Sequence, residues 1–498
     1  MNFGQARMRL VQVGAVLAAA VLVAGCGANY RPVVTPTNGS GPAAEPESFV
    51  VAVSAPSTTA YGYATIVDYS GDSVEAQAYL GVNPIAFTVD ETGANGYTLN
   101  SDGTLTGFPV SITLNHPMVT YTTLPTTAKP LNLFSPSSGL WVADLNGNVA
   151  DVFAGSPEKE QSSVSVAPTP VMVVGPSTVG QRDFAISQNI SAPKGVECNS
   201  SPTAQLPGTV TGIEVSTDTP DPTLITVGKC PVYAVESNDS NRNNSQRLFV
   251  LNRGSDTISV INTLTGALDT NCAAKNQDGQ TINCPANGTL QLPAGSGPVY
   301  AEYNAVTSQL VVANYDGGTI SIIDVSLDTY GNDSSTFGTT YTVPVGSNPA
   351  SVTVLPYNGS YAYTANQSDG TVSVVNLSSH TVEATLHVTG HPRTIVSTQS
   401  SEEYGKVYVA SPDSPYLTII YAGGTYMNTV DTTLPLGAGN LVDVRVSAQN
   451  GVSGNSNNVS RLPGYGQPCN LPLSEFNPAT SSNPVLSNCQ AQDPTLLK

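Results

Sequence analysis

Positive charge is what this 498-residue chain has least of. It carries 17 Lys+Arg against 36 Asp+Glu, a net charge of −19, and only 11% of its residues are charged. Phosphate backbones are held by clustered Lys and Arg, so this balance argues against a nucleic-acid partner. Four His and seven Cys leave little material for a large metal or haem array. No Cys-x-x-Cys pair occurs, which removes a zinc ribbon or a thioredoxin-like motif. GxSxG, Walker, HExxH and DxDxDG signatures are absent, as is a GxGxxG that opens a helix. Beyond the N-terminus no segment sustains a helical period. What is present is 40% hydrophobic residues with 45 Gly and 37 Pro. That composition suits an ordered, turn-rich β protein rather than a disordered chain.

The N-terminus reads as a targeting segment. Arg7 and Arg9 precede an apolar run from Leu10 to Val23, short for a membrane span. The run ends in Leu22-Val23-Ala24-Gly25-Cys26, which resembles the lipobox of bacterial lipoproteins. The resemblance implies a signal peptide over 1–25, diacylglycerol on the Cys26 thiol, and acylation of the new Cys26 amine after cleavage. Gly27 follows, where an Asp would signal inner-membrane retention. The expected location is the cell envelope, lipid-anchored, at the outer membrane. Residues 26–47 are rich in Pro, Gly, Ala and Thr and read as a flexible tether.

Internal repeats set the fold. Four segments align without a gap: LFVLNRGSDTISVIN (248–262), LVVANYDGGTISIID (310–324), AYTANQSDGTVSVVN (362–376) and VYVASPDSPYLTIIY (407–421). Each is an apolar strand, a polar turn and a second β-branched strand, the signature of a β-hairpin. A further copy spans 64–78, and weaker ones begin near Tyr97, Leu140 and Phe184, the last resuming at 209–215. That makes eight hairpins. Between them an X-Pro and an apolar stretch recur at Pro84, Pro117, Pro170, Pro231, Pro298, Pro349 and Pro392. Proline suits the first residue of a strand, where no ladder donor is lost. The unit is a Pro-led strand A, a hairpin B–C, and a strand D that ends in a Gly turn. Four strands repeated over about 40–50 residues make a propeller blade.

These residues resemble the YVTN-type β-propeller repeat, which joins V-Y-V-A-N, T-V-S-V-I-D and V-G-x-x-P. The match is close at 248–262, 310–324 and 362–376, and it covers roughly residues 48–447. The expected fold is all-β, a single propeller of four-stranded blades, eight by count and seven if the short Pro84–Pro117 interval is not a blade. Either 441–447 or 49–54 supplies the closing strand, pairing across the ends of the chain. Residues 448–498 read as an irregular tail.

With Cys26 set aside, six cysteines remain, an even number in an exported protein, and fifteen pairings are open. In the expected strand order, Cys198 in a B–C insertion and Cys230 at a D–A turn share one face and can bond. Cys272 and Cys284 lie in one C–D insertion. Cys469 and Cys489 in the tail are left for each other.

Candidate sites follow from the topology. The residues before each Pro would rim the mouth where inner strands converge: Asn83, His116, Thr169, Cys230, Gly297, Asn348 and His391. They could hold a metal or polar ligand, or they could be turn residues. His387 and His391 are four apart, a spacing that does not converge on a strand. Asp144, Asn146, Asn148, Asp90 and Glu91 offer oxygen ligands but read as turn residues. Asn252, Asn314 and Asn366, with Asp68 and Ser411 as equivalents, recur at one blade position and are expected to cap the B–C turn. Long insertions at 188–207, 263–288 and 325–340 are polar. The last two, with Tyr330 and Tyr341 nearby, are expected to meet on one face.

Fold and location point to a lipid-anchored envelope propeller that binds protein or glycan, as a monomer, with the membrane as partner only through its lipid. The alternative is a propeller enzyme of lactonase or quinoprotein type with a site in the central channel. A quinoprotein pocket is commonly built with Trp, and here only Trp141 is available. The sequence names no catalytic residue, metal ligand or cofactor.

Overall fold

The computed structural model describes residues 49–447, apart from 69–70, 91, 136–138, 146, 176–181, 190–205, 238–246, 271–286, 329–330, 356 and 399–404. Cys26 and the whole tail, with Cys469 and Cys489, lie outside the described residues, as do Cys198, Cys272 and Cys284.

Eight antiparallel sheets form an eight-bladed propeller. From blade 1 to blade 8 the inner strands are Asn440–Val446, Pro84–Val89, Pro130–Phe134, Pro170–Val174, Pro231–Glu236, Pro298–Asn304, Pro349–Val354 and Thr394–Ser397. Each packs against the inner strand of the next blade, and that of blade 8 returns to blade 1. Blade 1 is composite. Its inner strand comes from the end of the described chain and pairs with Phe49–Ala55, from Val50↔Val446 to Ala55↔Asn440. Both sequence candidates for the closing strand therefore serve, as neighbours in one sheet. In blades 4 and 5 the outermost strand is broken into two short pieces.

Stacked blades bury both faces of their inner strands, so those strands read as unbroken apolar runs rather than alternations. Val171, Met172, Val173 and Val174, on the inner strand of blade 4, are at most 1% exposed. The outermost strands face solvent, and Ser73–Val82 alternates between exposed and buried positions over most of its length.

Each Pro-led strand carries a register shift just after its proline, as at Pro84/Ala86, Pro231/Tyr233 and Pro349/Ser351. A residue without an N–H at a bulged strand start costs the ladder nothing. Two expected starts differ: Pro392 stands two residues ahead of the blade 8 inner strand, which begins at Thr394, and Pro117 leaves the inner strands altogether. Pro117 lies in the 3-10 turn His116–Met118, which leads into an outermost strand, and Pro130 starts blade 3. The Pro117 segment resembles an A strand because it too precedes an extended stretch, Thr120–Thr123.

Blade 1 also shifts the repeat frame. The hairpin over 64–78 forms its two outer strands, Tyr61–Asp68 and Ser73–Val82, rather than its middle pair. Asp68 is thus not the equivalent of Asn252. The composite blade displaces the frame, because its second strand is the one that begins at Phe49.

Candidate functional site

The two faces of the ring differ in their loops. B–C and D–A turns share the upper face, and A–B and C–D loops share the lower one.

On the upper face five of the six residues before the inner-strand prolines do one job. Asn83, Thr169, Cys230, Gly297 and Asn348 all have φ between 50° and 61°. This left-handed conformation is easy for Gly and Asn and strained for Thr. A sharp D–A turn thus explains the residue types. His116 stands apart at the outer edge of blade 2, 5.8 Å from the Tyr79 ring and 6.2 Å from Tyr121. His391 is exposed, and both its N–H and its ring pair with Asp413 in the B–C turn of blade 8.

The recurring Asn is a turn clamp. Asn252, Asn314 and Asn366 each donate from Nδ2 to a Thr and a Ser hydroxyl five and seven residues on, at 2.9–3.2 Å. Asn100, the blade 2 member of the series, donates likewise to Thr104 and Thr106, four and six residues on. The second hydroxyl of the set also hooks the preceding blade. Thr106 accepts the Gly81 N–H, Thr211 that of Ala167, and Ser259 that of Gly228. Gly81, Gly228 and Gly346 press on this clamp, since a Cβ there would lie 2.4–2.7 Å from Asn100, Asn252 and Asn366. The V-G-x-x-P and T-x-S parts of the repeat are therefore one joint between blades.

Aspartates complete it. Asp102 accepts the Val82 N–H, Asp144 that of Lys129, and Asp369 that of Ser347, at 2.6–3.0 Å. Asn148 accepts the Thr169 N–H, and Asp90 the Ala94 N–H and the Asn95 amide. Side chains singled out for calcium are thus committed to turns. Glu91 and Asn146 lie outside the described residues.

Beside the clamps, buried side chains link blades 4 to 7. Gln188 donates to the Pro231 carbonyl. Arg253, wholly buried, makes two bonds to Asp316, at 3.1 and 2.6 Å, and lies 5.3 Å from the Tyr315 ring centre. The Tyr315 hydroxyl reaches Gln367 at 3.2 Å.

The inner strands enclose a polar group. Tyr233 and Tyr300 stack with centres 4.8 Å apart. Burial, with Glu302 nearby, pushes the Tyr300 phenol up to about 12, although Arg445 opposes it. Arg445 binds Asp443 at 2.7 Å, and Arg393 donates to the Val442 carbonyl at 3.0 Å. Burial raises the Asp443 carboxyl against both cations. At the lower end of the blade 5 inner strand, Glu236 is buried without a hydrogen-bond partner among the described residues. Burial pushes it well above the usual carboxylate range, and Asp183 adds to this. Sequence reasoning missed these Arg. The available signal was their setting inside apolar runs such as RLFVLN and VDVRV, because a chain poor in cations seldom buries one unpaired. Trp141 lies in the packing between blades with Phe134, Val173 and Ala185.

On the lower face the insertions of blades 5 and 6 meet, as expected. Arg247 bonds Asp269 of the first at 2.7 Å, and Asp333 and the Gly331 carbonyl of the second at 3.5 and 3.2 Å. Burial and the neighbouring Asp269 push the Asp333 carboxyl up to about 7, against the pull of Arg247. A carboxyl raised on folding gives stability that is whole below its unfolded value near 4. That stability is lost as pH rises through about 7. Melting temperature is therefore expected to fall from pH 5 to pH 8, and Asp333→Asn to flatten that fall. Equal slopes in scanning calorimetry would contradict the assignment. Tyr330 lies outside the described residues, and Tyr341 stacks on His380 at 3.7 Å.

Among the described residues no cluster of three or more His, Cys, Asp or Glu could hold a metal ion. No family model and no curated protein matches the chain. Solved structures do. Apo AztD from Citrobacter koseri is 12% identical over 80% of this chain and 97% of its own, with a TM-score of 0.52. The dihydro-heme d1 dehydrogenase NirN, in complex with DHE, is 11% identical over 82% and 77%, with a TM-score of 0.51. Sqt1 from Saccharomyces cerevisiae is 11% identical over 72% and 86%, with a TM-score of 0.50. At this identity the likeness is one of fold.

Proposed function

We propose that this protein is a lipid-anchored propeller of the cell envelope that serves as a binding scaffold for protein or glycan. The observation that carries the reading is the use of the upper mouth. Polar residues that would hold a ligand there are spent on turns and on hydrogen bonds between blades, which makes the ring a stiff platform. Function then rests on its outer surfaces and insertions, as is usual where a rigid scaffold carries loops. Cys26 provides the anchor, and the cysteine pairs 198–230, 272–284 and 469–489 staple insertions and tail. Such closures contribute roughly 3 kcal/mol each in the chain-entropy model.

The anchor is tested by Cys26→Ala. Wild type is expected to take up radiolabelled palmitate and to sediment with membranes, held by acyl chains that together far exceed the marginal grip of one. The variant is expected to do neither. Label retained on the variant would end this reading of Cys26.

A second reading, an enzyme with its site in the central channel, is favoured by the buried Glu236 and Asp443 carboxyls. Trp141 does not serve it as a quinone-pocket residue, because it is packed between blades. Metal analysis of the purified protein separates the two readings, and one tightly held Ca or Mn per chain would favour the enzyme.

A further inference from the structure

The outer surface between blades 1 and 2 carries a cluster of aromatic side chains. Tyr61 and Tyr63 come from the strand Tyr61–Asp68, and Tyr79 from the outermost strand of blade 1. His116 comes from the turn that displaced the expected strand, and Tyr121 from the outermost strand of blade 2. Tyr79 is the hub. Its ring centre lies 4.8 Å from Tyr63, 6.4 Å from Tyr61 and 5.8 Å from His116, which in turn lies 6.2 Å from Tyr121. The Tyr121 hydroxyl donates to the Tyr79 carbonyl at 3.0 Å and ties the two blades together.

These rings are on the surface. Tyr61 is 58% exposed, Tyr79 46% and Tyr121 40%, and Met118, in the same turn as His116, 42%. Isolated exposed apolar residues need no explanation, but contiguous ones mark a contact surface. Tyrosine supplies apolar area at low entropic cost and a hydroxyl at the rim.

Charge selects the partner. Burial raises the Tyr121 phenol, and Tyr61 and then the Asp102 carboxylate add to this. Asp102 already accepts hydrogen bonds from the Val82 N–H, the Thr104 N–H and the Thr104 hydroxyl. The tyrosine side chains of the cluster are themselves uncharged. A chain of net charge −19 repels polyanions. Tyrosine ring faces also attract cations, and the cationic probe below tests that alternative. An uncharged ligand with apolar C–H faces and a rim of hydroxyls matches the surface on both counts.

We propose that this aromatic cluster is a binding surface for a neutral glycan strand. The proposal rests on the scaffold reading and names its partner class.

The test uses the full chain in a polyoxyethylene detergent, which has no sugar headgroup. Cellohexaose and chitohexaose are the neutral probes, polygalacturonate the anionic one and hexalysine the cationic one, each titrated by calorimetry. Saturable binding of a neutral hexasaccharide is expected. Joint Tyr79→Ala and Tyr121→Ala replacement is expected to weaken it about tenfold, the loss of one or two ring contacts. Joint replacement by Phe should keep most of the affinity, because the rings remain. Should the double Ala variant fail to melt cooperatively, Tyr61→Ala, at the most exposed ring, is expected to weaken binding about threefold on the same basis. Absence of binding to both neutral probes would overturn the proposal, as would affinity unchanged in the Ala variants. Binding of hexalysine or polygalacturonate in place of the neutral probes would do so too. Lipidation plays no part in these titrations, so their failure leaves the palmitate result, and the anchored-scaffold reading, standing.

Discussion

A chain that ends before Asn440 is expected to lose cooperative folding altogether. The segment Asn440–Val446 is the inner strand of blade 1, hydrogen-bonded along Phe49–Ala55. It also fills the gap between the inner strands of blades 8 and 2. Leu441, Val442 and Val444 are at most 2% exposed. Burying such side chains contributes about 1.5–3 kcal/mol each. Their sum alone approaches the roughly 5–15 kcal/mol that typically separates folded from unfolded protein. The hydrogen bonds of the strand and the Arg445–Asp443 pair are lost with it, and Phe49–Ala55 becomes an exposed apolar edge prone to pairing with other chains. Truncation at Gly451 keeps the strand and is expected to preserve both the β-type circular dichroism and the melting transition. If the shorter chain still melts as one unit, closure by this strand is not what holds the ring. If truncation at Gly451 abolishes folding, the tail belongs to the core.

The second large effect is expected at the joint between blades 5 and 6. Arg253 is wholly buried, whereas the Asp316 side chain keeps 19% of its surface. The two partners are therefore unequal. Asp316→Ala takes a carboxylate away from a wholly buried guanidinium, and breaking a buried pair from one side costs about 3–5 kcal/mol. Arg253→Met leaves a carboxylate that can turn to solvent, and the thioether fills much of the stem volume, so the cost should be smaller. Combining the two changes is expected to recover part of the Asp316→Ala loss. Urea unfolding of the four proteins gives the cycle directly. A strictly additive double variant would show that the pair is not coupled.

The sequence by itself determined the repeating unit. Hairpins with polar turns, prolines at strand starts and glycines in the D–A turns follow from backbone constraints that act within a few residues, and these are legible in any single copy. The Asn of the repeat was readable as a turn cap for the same reason, since its Thr and Ser partners lie five and seven residues away. Eight copies then imply a ring, and the location of the insertions follows from the strand order.

Only the tertiary structure decided what depends on neighbours distant in sequence. It drew 49–55 and 440–446 into one blade, which shifted the frame of the 64–78 hairpin and set Asp68 apart from Asn252. It placed Pro117 in an outer turn, because a proline before an extended stretch looks alike at the start of an inner or an outermost strand. His116 went with it, away from the mouth and into a cluster with Tyr79 and Tyr121. Arg253 with Asp316 and Arg247 with Asp333 are joined across blades, 63 and 86 residues apart. Local pattern can mark such an Arg as buried, but it does not name the partner, since it is the closing of the ring that brings the carboxylate to it.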